Sequence, residues 1–157
     1  MLPFKTILHP TDFSDASAHA LKMASMLAKD YNAHLLLLHT IELPVYFGEL
    51  GVSFYPPDNT TEAIRDRLDA LIETLAPVKA EAIVIDGIAA PDILRVASER
   101  HADLIVLGSH GRTGIGRVLM GSVAEEIARK APCPVLIVRQ KHEIPEDVTT
   151  EAEAVAH

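Results

Sequence analysis

An α/β domain built on a mostly parallel five-stranded sheet, with helices on both faces, is what this sequence predicts, on three observations. Short apolar runs alternate with stretches of helical period, giving five strands with four helices between them. The most apolar runs do not alternate with polar residues, as expected of parallel strands covered on both faces. The core is aliphatic: the 157 residues include four Phe, three Tyr and no Trp, yet 48% are hydrophobic. A chain of this length fits one domain.

The first strand is predicted at residues 4–9, FKTILH, broken by PTDFSD. A helix follows over 15–30, with Ser14 as its N-cap and Ala18, Leu21, Ala24, Leu27 and Ala28 on its apolar face. HLLLLHT at 34–40 is the second strand. Segment 41–59 carries four of the seven aromatics, three Pro and two Gly. It exceeds the ~12 to 15 residues usual for a structureless loop, which fits a lid, a partner-facing loop or an insertion. Ile64, Leu68, Leu71 and Leu75 then mark a helix over 60–75, AEAIVID a strand at 80–86, and Pro91 the first turn of a helix ending near Arg100. DLIVLG at 103–108, SVAEEIARK at 122–130 and PVLIV at 134–138 complete the alternation as strand, helix and strand. Each helix is long enough to return across a sheet face, which makes the crossovers right-handed and the strands parallel. Residues 1–139 form the domain; the charged segment 140–157, poor in large apolar residues, reads as a loose tail.

Fourteen basic against 22 acidic residues give a net charge of −8, of which the tail accounts for half. That field disfavours nucleic acid and anionic lipid as partners. A single cysteine, Cys133, rules out an internal disulfide, and no apolar run approaches a membrane span. Residues 1–8 lack the apolar core and cleavage site of a secretion signal, so cytoplasmic residence is the expectation. Cys133, between two prolines, reads as a buried structural thiol.

Chemistry is expected at two strand ends: the HPTDFS turn, and the stretch 108–122, which holds five glycines in its first 14 residues. In a sheet of order 3-2-1-4-5 the first and fourth strands are neighbours, and the reversal of winding between them opens a crevice lined by both turns. Ser122 with Glu125 has the spacing of a capping box. The same helix start also suits a phosphate, met by unpaired amides and the Ser122 hydroxyl. Arg112 has the fork to clasp a phosphate or is an ordinary loop arginine, and His110 either donates to phosphate or ribose or covers the loop. Asp12 could accept from a base or ribose hydroxyl, or form an Asx turn into the helix. The P-loop pattern GxxxxGK[ST] is absent, no GxGxxG follows the first strand, and GSHG is not a nucleophile elbow. His9 and His39 end adjacent strands without an acidic cluster, which favours hydrogen-bonded strand-end residues over a metal site.

Over residues 1–139 the chain resembles the universal stress protein family. The residues that carry the resemblance are ILHPTDFS at 7–14, LLLLHT at 35–40 and GSHGRTGIGRVLMGSVAEEIARKAPCPVLIV at 108–138. Gly108, Gly111, Gly121 and Ser122 match the G-x2-G-x9-G-[ST] spacing of its nucleotide-binding members. The resemblance implies a Rossmann-like sheet of order 3-2-1-4-5, of the adenine nucleotide α-hydrolase-like type, and a homodimer through the last strand. It implies ATP or AMP as ligand, with Mg2+ or Mn2+ held mainly through the phosphates. Pro10, Thr11 and Asp12 would lie beside adenine and ribose, Thr40 near the base and Gly108 by the ribose. Gly111, Gly121, Ser122 and Val123 would hold the phosphates. At Thr40, where related proteins often carry Val, a hydroxyl replaces apolar surface.

The expected function is therefore an adenine-nucleotide-binding regulatory or stress-response protein with little turnover, since no general base is evident near the γ-phosphate. Two alternatives stand beside it: a nucleotide-independent, chaperone-like or scaffold protein that holds a partner through 41–59, and a slow ATP-hydrolysing enzyme.

Overall fold

A computed structural model describes residues 3–42, 60–110 and 120–140. Its elements run β1 (Thr6–Pro10), α1 (Asp15–Tyr31), β2 (His34–Glu42), α2 (Thr61–Glu73), β3 (Ala80–Gly87), α3 (Ala89–Glu99), β4 (Leu104–Gly108), α4 (Ser122–Lys130) and β5 (Val135–Val138). The strands form one parallel sheet in the order β3-β2-β1-β4-β5. Chain order thus moves outward from β1 to β3, returns to β4 beside β1, and ends at β5. With a constant crossover hand, that reversal puts α1 and α2 on one face and α3 and α4 on the other.

The two faces are visible in the strand side chains. Ile7, Leu35 and Leu37 pack with Leu21, Ala24, Ile64 and Leu68 of α1 and α2. Leu8, Leu36 and Leu38 pack with Ile93, Val96, Ala124 and Ile127 of α3 and α4. Leu35 to Leu38 are all fully buried, so a run of four leucines without polar alternation is the signature of a central strand with both faces covered.

Element boundaries shift by a few residues from the sequence expectation. β1 runs from Thr6 to Pro10 instead of 4–9, and α3 begins at Ala89, so Pro91 still falls within its first turn. On α1 the predicted Ala18 is exposed; Ala16, Ser17 and Ala20 take the inner face with Leu21, Ala24 and Ala28. At about 100° per residue, residues 16, 17, 20, 21, 24 and 28 share one face of the helix, and Ala18, although three residues before Leu21, falls outside it. Ser14 is the N-cap of α1, its hydroxyl accepting from the Ser17 amide at 3.2 Å.

Cys133 is half-buried, not fully buried as expected, because it lies at the sheet's edge just before β5. Burial, with a smaller effect from Asp103, pushes its thiol above the ordinary range. Among the described residues, no helix is long and apolar enough to cross a membrane. Segments 43–59, 111–119 and 141–157, which hold most of the aromatic segment and nearly all of the polar tail, lie outside the described residues.

Candidate functional site

A cleft of about 470 Å³ opens where β1, β2 and β4 end. That is within the ~300 to 1,000 Å³ range of small-molecule sites, and it sits at the winding reversal between β1 and β4, where such sheets take ligands. Nine of the eleven residues singled out from the sequence line it: Pro10, Thr11, Asp12, Thr40, Gly108, His110, Gly121, Ser122 and Val123. Gly111 and Arg112 lie outside the described residues.

The wall after β1 is fixed by side chains. The Thr11 amide donates to Leu38 O at 2.8 Å, carrying the ladder one residue past the strand. Its hydroxyl oxygen accepts from the Phe13 amide at 3.1 Å and from the Ser17 hydroxyl at 2.6 Å. Asp12 forms the Asx turn that the sequence allowed, Oδ1 accepting from the Ser14 amide at 2.9 Å, and it also faces the cleft. Structural and ligand-facing roles are therefore compatible in one carboxylate. Phe13 sits at φ 62°, a left-handed conformation that costs an ordinary residue roughly 1–2 kcal/mol. Packing holds it there: its ring lies 4.8 Å from that of His39, and the Arg67 guanidinium sits 3.8 Å from its centroid on the other element, α2.

Two buried histidines brace this wall. His39 Nδ1 lies 2.7 Å from Thr11 O and His9 Nδ1 lies 2.8 Å from Val106 O; a carbonyl only accepts, so each Nδ1 carries a proton and donates. Both are hydrogen-bonded as expected, but only His9 is near its strand's end; β2 continues three residues past His39 to Glu42. Burial depresses the His9 pKa to about 4, against smaller opposing effects of the Val106 bond and Asp12, so the ring is neutral. Among the described residues, no group of three or more His, Cys, Asp or Glu is placed to hold a metal.

The opposite wall is built from backbone. A Cβ on Gly108 would lie 2.9 Å from the carbonyl carbon and oxygen of Ala16, so only glycine lets the first turn of α1 close over the end of β4. Ser109 is buried; its amide donates to Val138 O at 3.1 Å, and its carbonyl accepts the Gly121 amide at 2.7 Å. That last bond draws the start of α4 against the end of β4. The Ser109 hydroxyl meets His110 Nδ1 at 2.8 Å and so orients a ring that lines the cleft.

The capping box that the Ser122 and Glu125 spacing allowed does not form. Gly121, extended at φ −71° and ψ 158°, is the N-cap of α4, and Ser122 is already the first helical residue. Glu125 therefore lies one position too far along to reach back to the cap, and its carboxylate pairs loosely with Arg129 at 3.9 Å. With no side chain at the N-cap, the positive end of a nine-residue helix faces the cleft beside Ser122.

Sequence reasoning missed Glu42, Ser17, Ala89 and Ile93, all of which line the cleft. Glu42 escaped because β2 runs two residues beyond the predicted end, paired through Ile41↔Asp86 and Glu42↔Gly87 with β3. Strand periodicity extended past Thr40 could have found it.

A family model described as "Universal stress protein family" matches residues 3–139. Universal stress protein MJ0531 of Methanocaldococcus jannaschii is 34% identical over 147 residues, covering 87% of this chain and 83% of that protein. Among solved structures, UspA from Lactobacillus plantarum superposes with a TM-score of 0.76 at 25% identity, covering 88% of this chain and 100% of that one. A universal stress protein crystallised in complex with cAMP superposes with a TM-score of 0.65 at 26% identity, covering 89% and 100% respectively. On its sheet order, its strand-end cleft and this match, the chain belongs to the universal stress protein family.

Proposed function

We propose that the chain is an adenine-nucleotide-binding universal stress protein, taking ATP or AMP, with a regulatory role in the stress response and little or no turnover. The observation that carries this reading is the cleft itself: a hydrogen-bonded, carboxylate-bearing turn at one end and the uncapped start of α4 at the other. The donor set fits a nucleotide. Ser122 and the amides at the start of α4 would meet phosphates, with Gly111, Arg112 and His110 nearby in sequence. Pro10, Thr11 and Asp12 would lie beside adenine and ribose, Gly108 by the ribose and Thr40 near the base. A structural neighbour in complex with cAMP supports a nucleotide of this class. Mg2+ or Mn2+ would be held through the phosphates. No general base is assigned at the α4 end, which is why the reading is a bound regulator and not an efficient ATPase.

The homodimer and location belong to the same proposal. β5 is an edge strand with Leu136 36% exposed, and a second copy pairing there would cover it. Replacing Ile137 with Lys should shift the protein to monomer in sedimentation; an unchanged dimer would point to another interface. The cytoplasm is the compartment proposed, in keeping with one unpaired cysteine.

Isothermal titration of nucleotide-free protein with ATP, AMP and cAMP tests the function. Saturable binding of at least one is expected. No binding of any of the three would reject the reading and leave a scaffold, with segment 41–59 as the partner-facing loop.

A further inference from the structure

Among the described residues nearly all buried polar side-chain atoms are satisfied, but Thr40 Oγ1 is buried and has no hydrogen-bond partner there. The only other such atom there is His9 Nε2, which is not on the cleft; Thr40 is. Strand alternation puts residues 38, 40 and 42 of β2 on one face, and the burial of Leu38 in the α3/α4 core and of Ile41 in the α1/α2 core fixes which one. Glu42 therefore follows Thr40 on the same side and lines the same cleft with an exposed carboxylate. Between this pair and α3, the lining is apolar, from Leu38, Ala89 and Ile93.

The placement across the sheet says which part of a ligand meets the pair. β4, β1 and β2 are consecutive neighbours, so the end of β2 lies about 10 Å from the end of β4 at ~4.8 Å per strand. A phosphate at the start of α4, beside β4, leaves the base of a nucleotide at β2. We infer that Thr40 and Glu42 read the hydrogen-bonding edge of that base and select a 6-aminopurine over a 6-oxopurine; this rests on the nucleotide-binding reading above.

The chemistry is asymmetric. A carboxylate only accepts, so Glu42 can take an N–H of the exocyclic amine of adenine but opposes the O6 acceptor of hypoxanthine. Threonine both donates and accepts, and Oγ1 has three staggered positions about χ1, so a ligand can draw the hydroxyl from the position without a partner toward a ring nitrogen. The apolar slab of Leu38, Ala89 and Ile93 would cover the ring faces without discriminating between purines. A site built to bond a particular polar group rejects the analogue that lacks it, because its own polar groups are then left unpaired.

Titration of the full chain, nucleotide-free, with ATP and with inosine triphosphate tests this. The wild type should bind ATP about tenfold or more tightly than the inosine nucleotide. Glu42→Gln, whose amide can turn to donate to O6, should bring the two affinities to within about threefold, chiefly by gaining inosine triphosphate. Thr40→Val should weaken ATP by about fivefold or more, while Thr40→Ser keeps it. Thermal unfolding of each variant confirms the fold. Equal wild-type affinities for the two nucleotides, or a ratio untouched by Glu42→Gln, would overturn the selection by Glu42; ATP affinity undiminished in Thr40→Val would remove Thr40 from it. Failure of the wild type to bind either nucleotide is a different result, which rejects the nucleotide reading and this inference with it.

Discussion

The two walls of the cleft are held by different means. The turn from Thr11 to Ser14 is held by side chains: the Thr11 hydroxyl, the Asp12 carboxylate, the Ser14 cap, and the stack of Arg67, Phe13 and His39. At Gly108 to His110 and at Gly121 and Ser122, the holding bonds among the described residues are largely main-chain, from Ser109 to Val138 and from Gly121 to Ser109. A wall built from side chains loses its shape when one is replaced. A wall built from backbone tolerates replacement unless a new side chain enters the space; its Ser109 and Gly121 amides are committed to carbonyls, so an anion would meet those of the first turn of α4.

His9 offers the largest way to test the seam between these walls, because it ties β1 to Val106 of β4 and is neutral in the fold. With a folded pKa near 4 and an unfolded one near 6.5, the unfolded chain binds more protons between those values. Stability therefore falls as pH drops through that window, by on the order of 3 kcal/mol for this group alone. Urea unfolding from pH 7 to pH 4 should show the decline, and His9→Gln should flatten it. An equal slope in both proteins would mean that carboxylates alone set the acid sensitivity.

Gly108 is where the backbone-built wall fails. Gly108→Ala puts a methyl 2.9 Å from the Ala16 carbonyl and should cost about 2 kcal/mol in urea unfolding, since main chain and not a flexible side-chain end must give way. A variant as stable as the wild type would show that α1 can move off β4 freely. On the side-chain-built wall, Phe13→Ala should also cost about 2 kcal/mol, losing the contacts to His39 and Arg67 while keeping the left-handed backbone. Phe13→Gly loses the same contacts but accepts φ 62° without penalty, so it should be the more stable of the two variants by about 1 kcal/mol. The reverse order would mean that the turn relaxes once the ring is gone.

Much of this was legible in the sequence, for identifiable reasons. Leu35 to Leu38 announced a central strand because burial on both faces removes polar alternation, and Ser14 announced a helix start because its hydroxyl has a single local role. The strand order came with the family resemblance; alternation of strands and helices alone is compatible with several orders. Features that depend on distant contacts were not legible. Gly121 and Ser122 are both acceptable N-caps, and the choice falls to Gly121, whose amide is held by Ser109 O twelve residues earlier in the chain. Glu42 joins the strand because β3 runs beside it to Gly87, a distant pairing at which only the strand period carried past Thr40 hints. The stack on Phe13 depends on Arg67, placed by a helix that begins 47 residues after the ring's own strand–helix turn ends at Ser14.

The smallest effect discriminates most sharply, because it sets two serines with the same local sequence signal against each other. Ser14 caps α1 through its hydroxyl, whereas Ser122 follows the cap of α4. Ser14→Ala should therefore destabilise by about 1 kcal/mol, the usual cost of losing a side-chain cap. Ser122→Ala should leave stability within about 0.5 kcal/mol, because alanine is a good helix former at a first helical position. If phosphate contact is the work of Ser122, the same substitution should still weaken nucleotide binding in titration, separating ligand contact from helix capping at one residue. A stability loss at Ser122 equal to that at Ser14 would mean that its hydroxyl caps α4 in solution after all, and the contrast between the two walls would disappear.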